Sequence, residues 1–331
     1  MHITISEYGQ ALGVTSARLT VSEKGHCIQE YPLSRIKTIS VAKGGVSISS
    51  NLITACALRG IKLFVLDWRP RGIVCLQGSQ QHAVVRIRQK QFEYLGQPEN
   101  QLSLCKQMII GKIKNQRGVL KYFGKYSARD PVVKQTIDDG ALSLARYTDA
   151  VKKLGLGPRS DWRSQLMGYE GQSAKTYWQI LRECSLLPAS FPGRLGRSAP
   201  DVGNIMLNYG YAILSSYIWH CVINAGLEGF AGGLHTERPG KPSLVLDIME
   251  EYRPWVVDRN VIKLRDQASE KRGFDSKLKR KLGASIHETF RKKYPYKNRK
   301  VSLESILQRQ VYRLAGEFSG QKTYKPYLFR W

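Results

Sequence analysis

Gly72-Ile-Val-Cys-Leu76, then Gln77-Gly-Ser-Gln-Gln-His82, then Ala83-Val-Val-Arg-Ile-Arg88: across this stretch the period of the chain changes. Upstream, apolar and polar residues tend to alternate, as in His2-Ile-Thr-Ile-Ser6 and Arg18-Leu-Thr-Val-Ser22, which is the two-residue period of a strand. Residues 35–41, 61–66 and 72–76 are further strand candidates. Residues 50–59 read as a short helix inserted among them and closed by Gly60. Downstream the period becomes helical, with helices expected over 83–95, 101–122, 131–154, 161–184, 202–225, 243–252, 254–264, 274–292 and 302–317. The polar stretch 77–82 is the expected linker. The expected fold class is therefore α+β: a small N-terminal β-sandwich domain, residues 1–80, followed by a larger all-α domain, residues 81–331.

The 331 residues suffice for one large or two ordinary domains, and 42% hydrophobic content can fill a sizeable core. Lysine and arginine total 52 against 26 acids, a formal net charge of +26. Such an excess attracts polyanions and releases their counterions on binding, so nucleic acid is the first candidate partner. An anionic membrane surface is the alternative. The six cysteines, Cys27, Cys56, Cys75, Cys105, Cys184 and Cys221, form no C-x-x-C pair, which argues against a zinc or redox module. Reduced thiols in a cytoplasmic protein are expected. The N-terminus shows no basic and apolar leader, so no signal peptide is expected. Residues 201–228 carry no charge between Asp201 and Glu228 and could span a bilayer by length. Asn204, Asn208, Ser215, Ser216, His220 and Asn224 would be costly in lipid, so this reads as a helix buried in a soluble core, with no membrane partner.

The informative residues are carboxylates on apolar helix faces. In the 161–184 helix, Glu170 shares its face with Leu166, Ala174, Tyr177 and Leu181, while Gln172, Lys175, Gln179 and Arg182 lie opposite. A charge on a buried face needs a partner, either a metal or a basic side chain such as Arg163. In Ser243-Leu-Val-Leu-Asp-Ile-Met-Glu-Glu-Tyr252, Asp247, Glu250 and Glu251 form one narrow stripe on an otherwise apolar rod. Clustered carboxylates call for a cation, and a hard divalent ion prefers oxygen ligands. A solvated stripe, or pairing with Arg253 and Arg259, is the alternative. Just before this helix, Gly232-Gly-Leu-His235-Thr-Glu-Arg238-Pro-Gly-Lys241 places an imidazole and two cations in a Gly- and Pro-rich loop. His235 could ligate a metal or act as a base, and Arg238 and Lys241 could grip phosphate. A lone loop histidine is otherwise a surface residue. His220 reads as a core residue, and His2, His26, His82 and His287 have no acidic cluster nearby.

A dense basic segment follows, with Lys277, Lys279, Arg280, Lys281, Arg291, Lys292, Lys293, Lys297, Arg299 and Lys300 interleaved with Tyr294 and Tyr296. Cations bind backbone phosphate and aromatics stack on exposed bases, although a charge run can also be a plain solvated face. Lys112, Lys114, Arg117, Arg86, Arg88 and Lys90 could extend the track over helix surfaces.

These stretches resemble a known family, the CRISPR adaptation integrase, the first-numbered of the CRISPR-associated proteins. The resemblance rests on Gly168-Tyr-Glu170-Gly, Arg197-Ser-Ala-Pro-Asp-Val-Gly-Asn204, Leu207-Asn-Tyr-Gly-Tyr211 and Gly233-Leu-His235-Thr. It rests above all on Ser243-Leu-Val-Leu-Asp247-Ile-Met-Glu250-Glu-Tyr-Arg-Pro254 with Val257-Asp-Arg259. Ile109-Ile-Gly-Lys-Ile-Lys-Asn115-Gln is similar to a further stretch of the family, and the likeness runs in order along the whole chain. It implies a β-sandwich dimerisation domain, a helical catalytic domain, a homodimer, and two such dimers bridged by a dimer of a small second adaptation protein. It implies Mg²⁺ or Mn²⁺ held by Glu170, His235 and Glu250, with Asp247 supporting catalysis or a second ion. The expected reaction is attack of a prespacer 3′-OH on a phosphodiester at the end of a CRISPR repeat, or endonucleolytic cleavage when water attacks, in the service of antiviral defence. The candidate DNA contacts are Arg238, Lys241, Lys277, Arg280, Lys281, Arg291, Lys292 and Lys293. Two other readings remain at this point. One is a casposon-type transposase, which usually carries an added DNA-reading domain for which no spare segment is seen. The other is a non-catalytic DNA-binding scaffold, which would have no use for buried acids.

Overall fold

The computed structural model describes residues 1–66, 73–76, 84–125, 130–157, 161–196, 200–235, 238–268 and 273–329. The expected linker, the boundary after residue 80 and the Arg197-Ser-Ala part of the motif above lie outside the described residues. The N-terminal part holds β1 (His2–Ile5), β2 (Gln10–Thr15), β3 (Arg18–Glu23), β4 (His26–Pro32), β5 (Thr38–Val41), β6 (Ser47–Ile48), α1 (Ser50–Leu58), β7 (Lys62–Leu66) and β8 (Ile73–Leu76). They form two four-stranded sheets, β1-β5-β7-β8 and β4-β3-β2-β6. In the first, β1, β5 and β7 are parallel and β8 is antiparallel at the edge. Ile3, Ile5, Ile39, Val41 and Leu63 of one sheet and Leu12, Leu19 and Val21 of the other share a single core with Leu52 and Cys56 of α1. The expected inserted helix is present, capped by the Ser49 hydroxyl and ended by Gly60 at φ +68°.

The strands β2 and β4 were not legible in the sequence for separable reasons. β4 is exposed along most of its length, so it has no apolar face to alternate. The β2–β3 turn is Ser16-Ala17, both at positive φ, with no glycine to signal a tight hairpin.

The second part comprises α2 (Val85–Leu95), α3 (Pro98–Gly124), α4 (Pro131–Lys153), α5 (Trp162–Glu183), α6 (Val202–Asn224), α7 (Ser243–Tyr252), α8 (Arg259–Lys263), α9 (Ser276–Arg291), β9 (Lys293–Tyr296), β10 (Arg299–Ser302) and α10 (Leu303–Phe318). The α+β class holds, with one difference: the segment expected to be all helix contains the antiparallel hairpin β9–β10, in the middle of the basic run. The signal was present as Tyr294 and Tyr296 alternating ahead of a Lys297-Asn298 turn, but the charges hid it. The uncharged helix α6 is buried along most of its length, as read from its polar residues. Among the described residues no helix is long and apolar enough to cross a membrane. All six cysteines are free thiols.

α3, α5 and α7 meet around a common point, and this positions the site. The ten residues of α7 are all buried. The sequence predicts separate helices over 243–252 and 254–264, but α7 does not end at Tyr252. It runs on through a π-helical turn, Arg253–Asp258, into α8. Proline lacks the N–H that an α-turn would use, and a wider turn absorbs the loss.

Candidate active site

Asp247 is the anchor. Its side chain is fully buried, and its two oxygens accept four hydrogen bonds. Oδ2 accepts from the amides of Gly233 at 2.8 Å and Leu234 at 3.0 Å. Oδ1 accepts from the His235 amide at 3.1 Å and from His235 Nδ1 at 2.7 Å. The loop therefore wraps the carboxylate, and the imidazole is oriented with Nε2 as its remaining nitrogen. A carboxylate that fixes a histidine in this way is the usual support for a metal-ligating imidazole. The wrap needs a glycine at 232, because a Cβ there would lie 2.6 Å from both Asp247 Oδ2 and the Ser243 carbonyl carbon. Two further side chains hold the loop. Gln91 of α2 donates to the carbonyls of Glu228 and Ala231 at 3.0 and 2.8 Å and accepts from the Glu228 amide at 2.8 Å. Arg163 of α5 donates to the Leu234 carbonyl at 3.2 Å.

One turn further along α7, Glu250 meets Glu170 of α5 across the ammonium of Lys112, which comes from α3. Lys112 Nζ contacts Glu170 Oε1 and lies 2.6 Å from Glu250 Oε2. Arg253 Nη1 binds the other Glu250 oxygen, and its guanidinium lies 4.9 Å over the Tyr211 ring. Burial alone would raise the pKa of Glu250. Arg253, Lys112 and His235 together overcome it and bring the pKa down to about 2. Burial likewise works against the charge on Lys112, and Glu250 and Glu170 reverse it, so its pKa lies above the ordinary lysine value. Glu170 and Glu250, from two helices, thus share one buried charged cluster, and Asp247 holds His235 one turn away along α7. Among the described residues no three His, Cys, Asp or Glu side chains gather as a ready metal cluster, and a lysine stands between the two glutamates instead.

The structure revises several details of the sequence reading. The acidic stripe divides into three separate environments. Glu251 faces away from the site, is fully buried, and accepts from the Tyr324 hydroxyl at 2.6 Å. Burial pushes its pKa up to about 8, in spite of that bond. Arg253 does pair with an acid, whereas Arg259 bonds Thr289 and the Trp255 carbonyl. Lys112 is not a surface cation. Tyr294 is buried and bonded through its hydroxyl to Trp255 Nε1 at 3.2 Å, so it is no stacking platform. His2 Nε2 lies 3.2 Å from a single acid, Glu304, rather than from a cluster of them. Gln91 was missed altogether, because one glutamine on a short amphipathic helix carries no signal of burial.

Arg238 is exposed and lines a cleft of about 290 Å³ with Phe92, Glu228, Phe230, Ala231 and Pro239. Lys241 is half-buried on the same loop. Lys277, Arg280, Lys281, Arg291, Lys292 and Lys293 are all exposed along α9 and the start of the hairpin.

Comparison with known proteins bears on what this arrangement is. Residues 3–297 match the family model described as CRISPR associated protein Cas1. A protein of Francisella tularensis subsp. novicida, named CRISPR-associated endonuclease Cas1 1, is 47% identical over 331 residues, covering 100% of this chain and 99% of that one. A protein of the same name from Pyrobaculum aerophilum is 30% identical over 330 residues, covering 99% of both. Among solved structures, the fold is shared with a Cas1 protein from Thermotoga maritima at TM-score 0.77 and 18% identity, over 98% of this chain and 99% of that one. It is shared also with a casposase bound to integration product, at TM-score 0.78 and 22% identity, over 98% and 92% of the two chains. With a family model spanning most of its length and a relative nearly half identical throughout, the chain belongs to the Cas1 family of CRISPR-associated proteins.

Proposed function

We propose that this protein is a CRISPR spacer-acquisition integrase, a metal-dependent enzyme that joins DNA by transesterification and cleaves it as an endonuclease. The observation that carries the reading is the convergence of Glu170 and Glu250 on one buried cation, with His235 held by Asp247 one turn along α7 from Glu250. Two carboxylates that already share a cation, beside an oriented imidazole, suit the oxygen-rich ligand sets of Mg²⁺ or Mn²⁺. Glu170, His235 and Glu250 would hold the ion. When bound, it would supply Lewis-acid stabilisation of charge on the scissile phosphate and a lower pKa for the attacking alcohol.

The chain's own groups do the rest. Asp247 keeps the imidazole in one tautomer and one orientation. Arg253 fixes the Glu250 carboxylate from the side opposite Lys112. Arg238 and Lys241 would grip the phosphate next to the reacting one, and the exposed cations of α9 and the hairpin would track the duplex. In the reaction a prespacer 3′-OH attacks phosphorus at the repeat end. A new phosphodiester forms as the old P–O bond breaks, and the displaced strand leaves with a 3′-OH. With water as nucleophile the same displacement is hydrolysis, in keeping with the endonuclease names of the Francisella and Pyrobaculum relatives.

The proposed assembly is a homodimer through residues 1–80, with residues 81–331 as the catalytic domain. Two dimers would be bridged by a dimer of a small second adaptation protein on prespacer and repeat DNA, in the cytoplasm. A fold shared with a Cas6-RT-Cas1–Cas2 complex, at TM-score 0.79 and 20% identity over 99% of this chain and 36% of that one, is compatible with such a partner. The likeness to a casposase is one of fold, whereas 47% identity along the whole chain favours CRISPR adaptation. A passive DNA scaffold would bear the desolvation of Glu250 and Lys112 with no use for it. Alanine at Glu170, His235 or Glu250 is expected to abolish strand transfer into a supercoiled array plasmid while DNA binding persists. Full activity in any of the three would refute the assignment.

A further inference from the structure

Lys112 has no place among the metal ligands, yet it occupies the space between two of them. Its side chain is only 9% exposed, it comes from the middle of α3, and it contacts one oxygen of Glu170 and one of Glu250. Arg253 binds the far oxygen of Glu250, so two carboxylates face two cations. A metal ion shared by Glu170 and Glu250 would need the carboxylate oxygens that the ammonium already contacts. The ammonium stands where an ion shared by the two carboxylates would sit, so the two exclude each other between Glu170 and Glu250. We propose that Lys112 is a built-in competitor for the metal, which keeps the glutamates paired in the DNA-free protein and is transferred to a substrate phosphate when the ion enters. Metal loading and DNA engagement are thereby coupled. The lysine gives up two carboxylates only where another anion receives it, and a nearby phosphodiester is such an anion. A lysine suits this exchange, as a compact charge on a flexible stem that moves without breaking a planar fork of bonds.

This rests on the metal-site reading above, and the test separates the two. Mn²⁺ affinity is measured by electron paramagnetic resonance on the DNA-free full chain, for the wild type and Lys112→Met. The variant removes the one cation that the two glutamates share, so it is expected to bind Mn²⁺ at least about tenfold more tightly. Its melting temperature, depressed without metal, is expected to recover with Mn²⁺ more than that of the wild type. Equal or weaker affinity in the variant overturns the role of Lys112 and leaves the metal site standing. Absence of Mn²⁺ binding in both proteins overturns the metal site, and this proposal with it. If the variant does not fold without metal, refolding on addition of Mn²⁺ supports the competition, and failure to refold in millimolar Mn²⁺ contradicts it.

Discussion

Asp247 illustrates how a residue can be found by sequence and yet be given an incomplete role. Its place on an apolar face marked it, but its spacing to Glu250 suggested a shared stripe of acids. In the structure it serves the loop, with three backbone amides and one imidazole nitrogen converging on it. Asp247→Asn keeps the shape but removes the charge from those bonds and frees the histidine tautomer. Mn²⁺ affinity is expected to fall about ten- to a hundredfold, as for other supports of metal-bound histidine, and a resonance titration of the variant checks it. Glu170 and Glu250 were legible because a carboxylate on a buried face is rare. Lys112 was not, because lysines are common on helix surfaces and only the packing of α3 against α5 and α7 buries this one. Identity and spacing pick out the acids; the counterion emerges only from the tertiary arrangement.

The sequence predicts α7 with its observed bounds, because Pro242 and the Gly- and Pro-rich loop precede it and its apolar periodicity is strong. Its continuation through the π-turn is hidden, since proline ordinarily ends a helix. The C-terminal segment had no periodicity to read, and it proves to be the element that braces the back of α3 and α7. Asn115 of α3 donates to the carbonyls of Glu251 and Tyr327 at 2.8 and 3.0 Å and accepts from the Phe329 amide at 3.1 Å. Phe329 stacks on Trp255 with ring centroids 5.3 Å apart. Gly111 makes this approach possible: a Cβ there would lie 2.5 Å from Pro326 Cβ and 3.2 Å from Glu251 Cγ. Gly111→Ala is therefore expected to destabilise the fold by about 1–3 kcal/mol, the usual cost of overpacking. A lower urea midpoint with an unchanged slope would verify this, and a variant as stable as the parent would show that the segment is not a brace.

For the whole molecule, the junction between the sheets and the helical body decides how the two parts respond to acid. His2 of β1 packs its ring 3.9 Å from that of Tyr217 and 5.7 Å from that of His220, both on α6. Thr4 Oγ1 and the Tyr217 hydroxyl flank the two nitrogens of His287 at 2.9 and 2.7 Å. Glu304 of α10 and Lys37 also face this cluster. Burial lowers the pKa of His220 to about 3 and of His287 to about 4. It lowers that of His2 as well, against the pull of Glu304. In the unfolded chain these histidines take up protons near pH 6.5, which the folded chain refuses, so their contribution to stability is full above that pH and is lost as pH falls toward 4. Each contributes a slope of up to about 1.4 kcal/mol per pH unit in that window. Burial raises Asp258 to about 6 and Glu251 to about 8, giving the opposite sign: those groups withdraw stability as pH rises. Comparing His287→Gln with the parent isolates the histidine contribution. The variant's melting temperature is expected to fall less steeply between pH 6.5 and 4.5, and parallel curves would contradict the burial of a neutral ring.

Glu170, His235 and Glu250 are proposed to share one divalent ion. Anomalous diffraction from crystals of the full chain soaked in Mn²⁺ would reveal it. The expected result is a single strong manganese peak within coordination distance of the two carboxylates and of His235 Nε2, with Lys112 displaced from between the glutamates. A peak at other side chains, or none at this cluster while Lys112 still bridges the two glutamates, would contradict it.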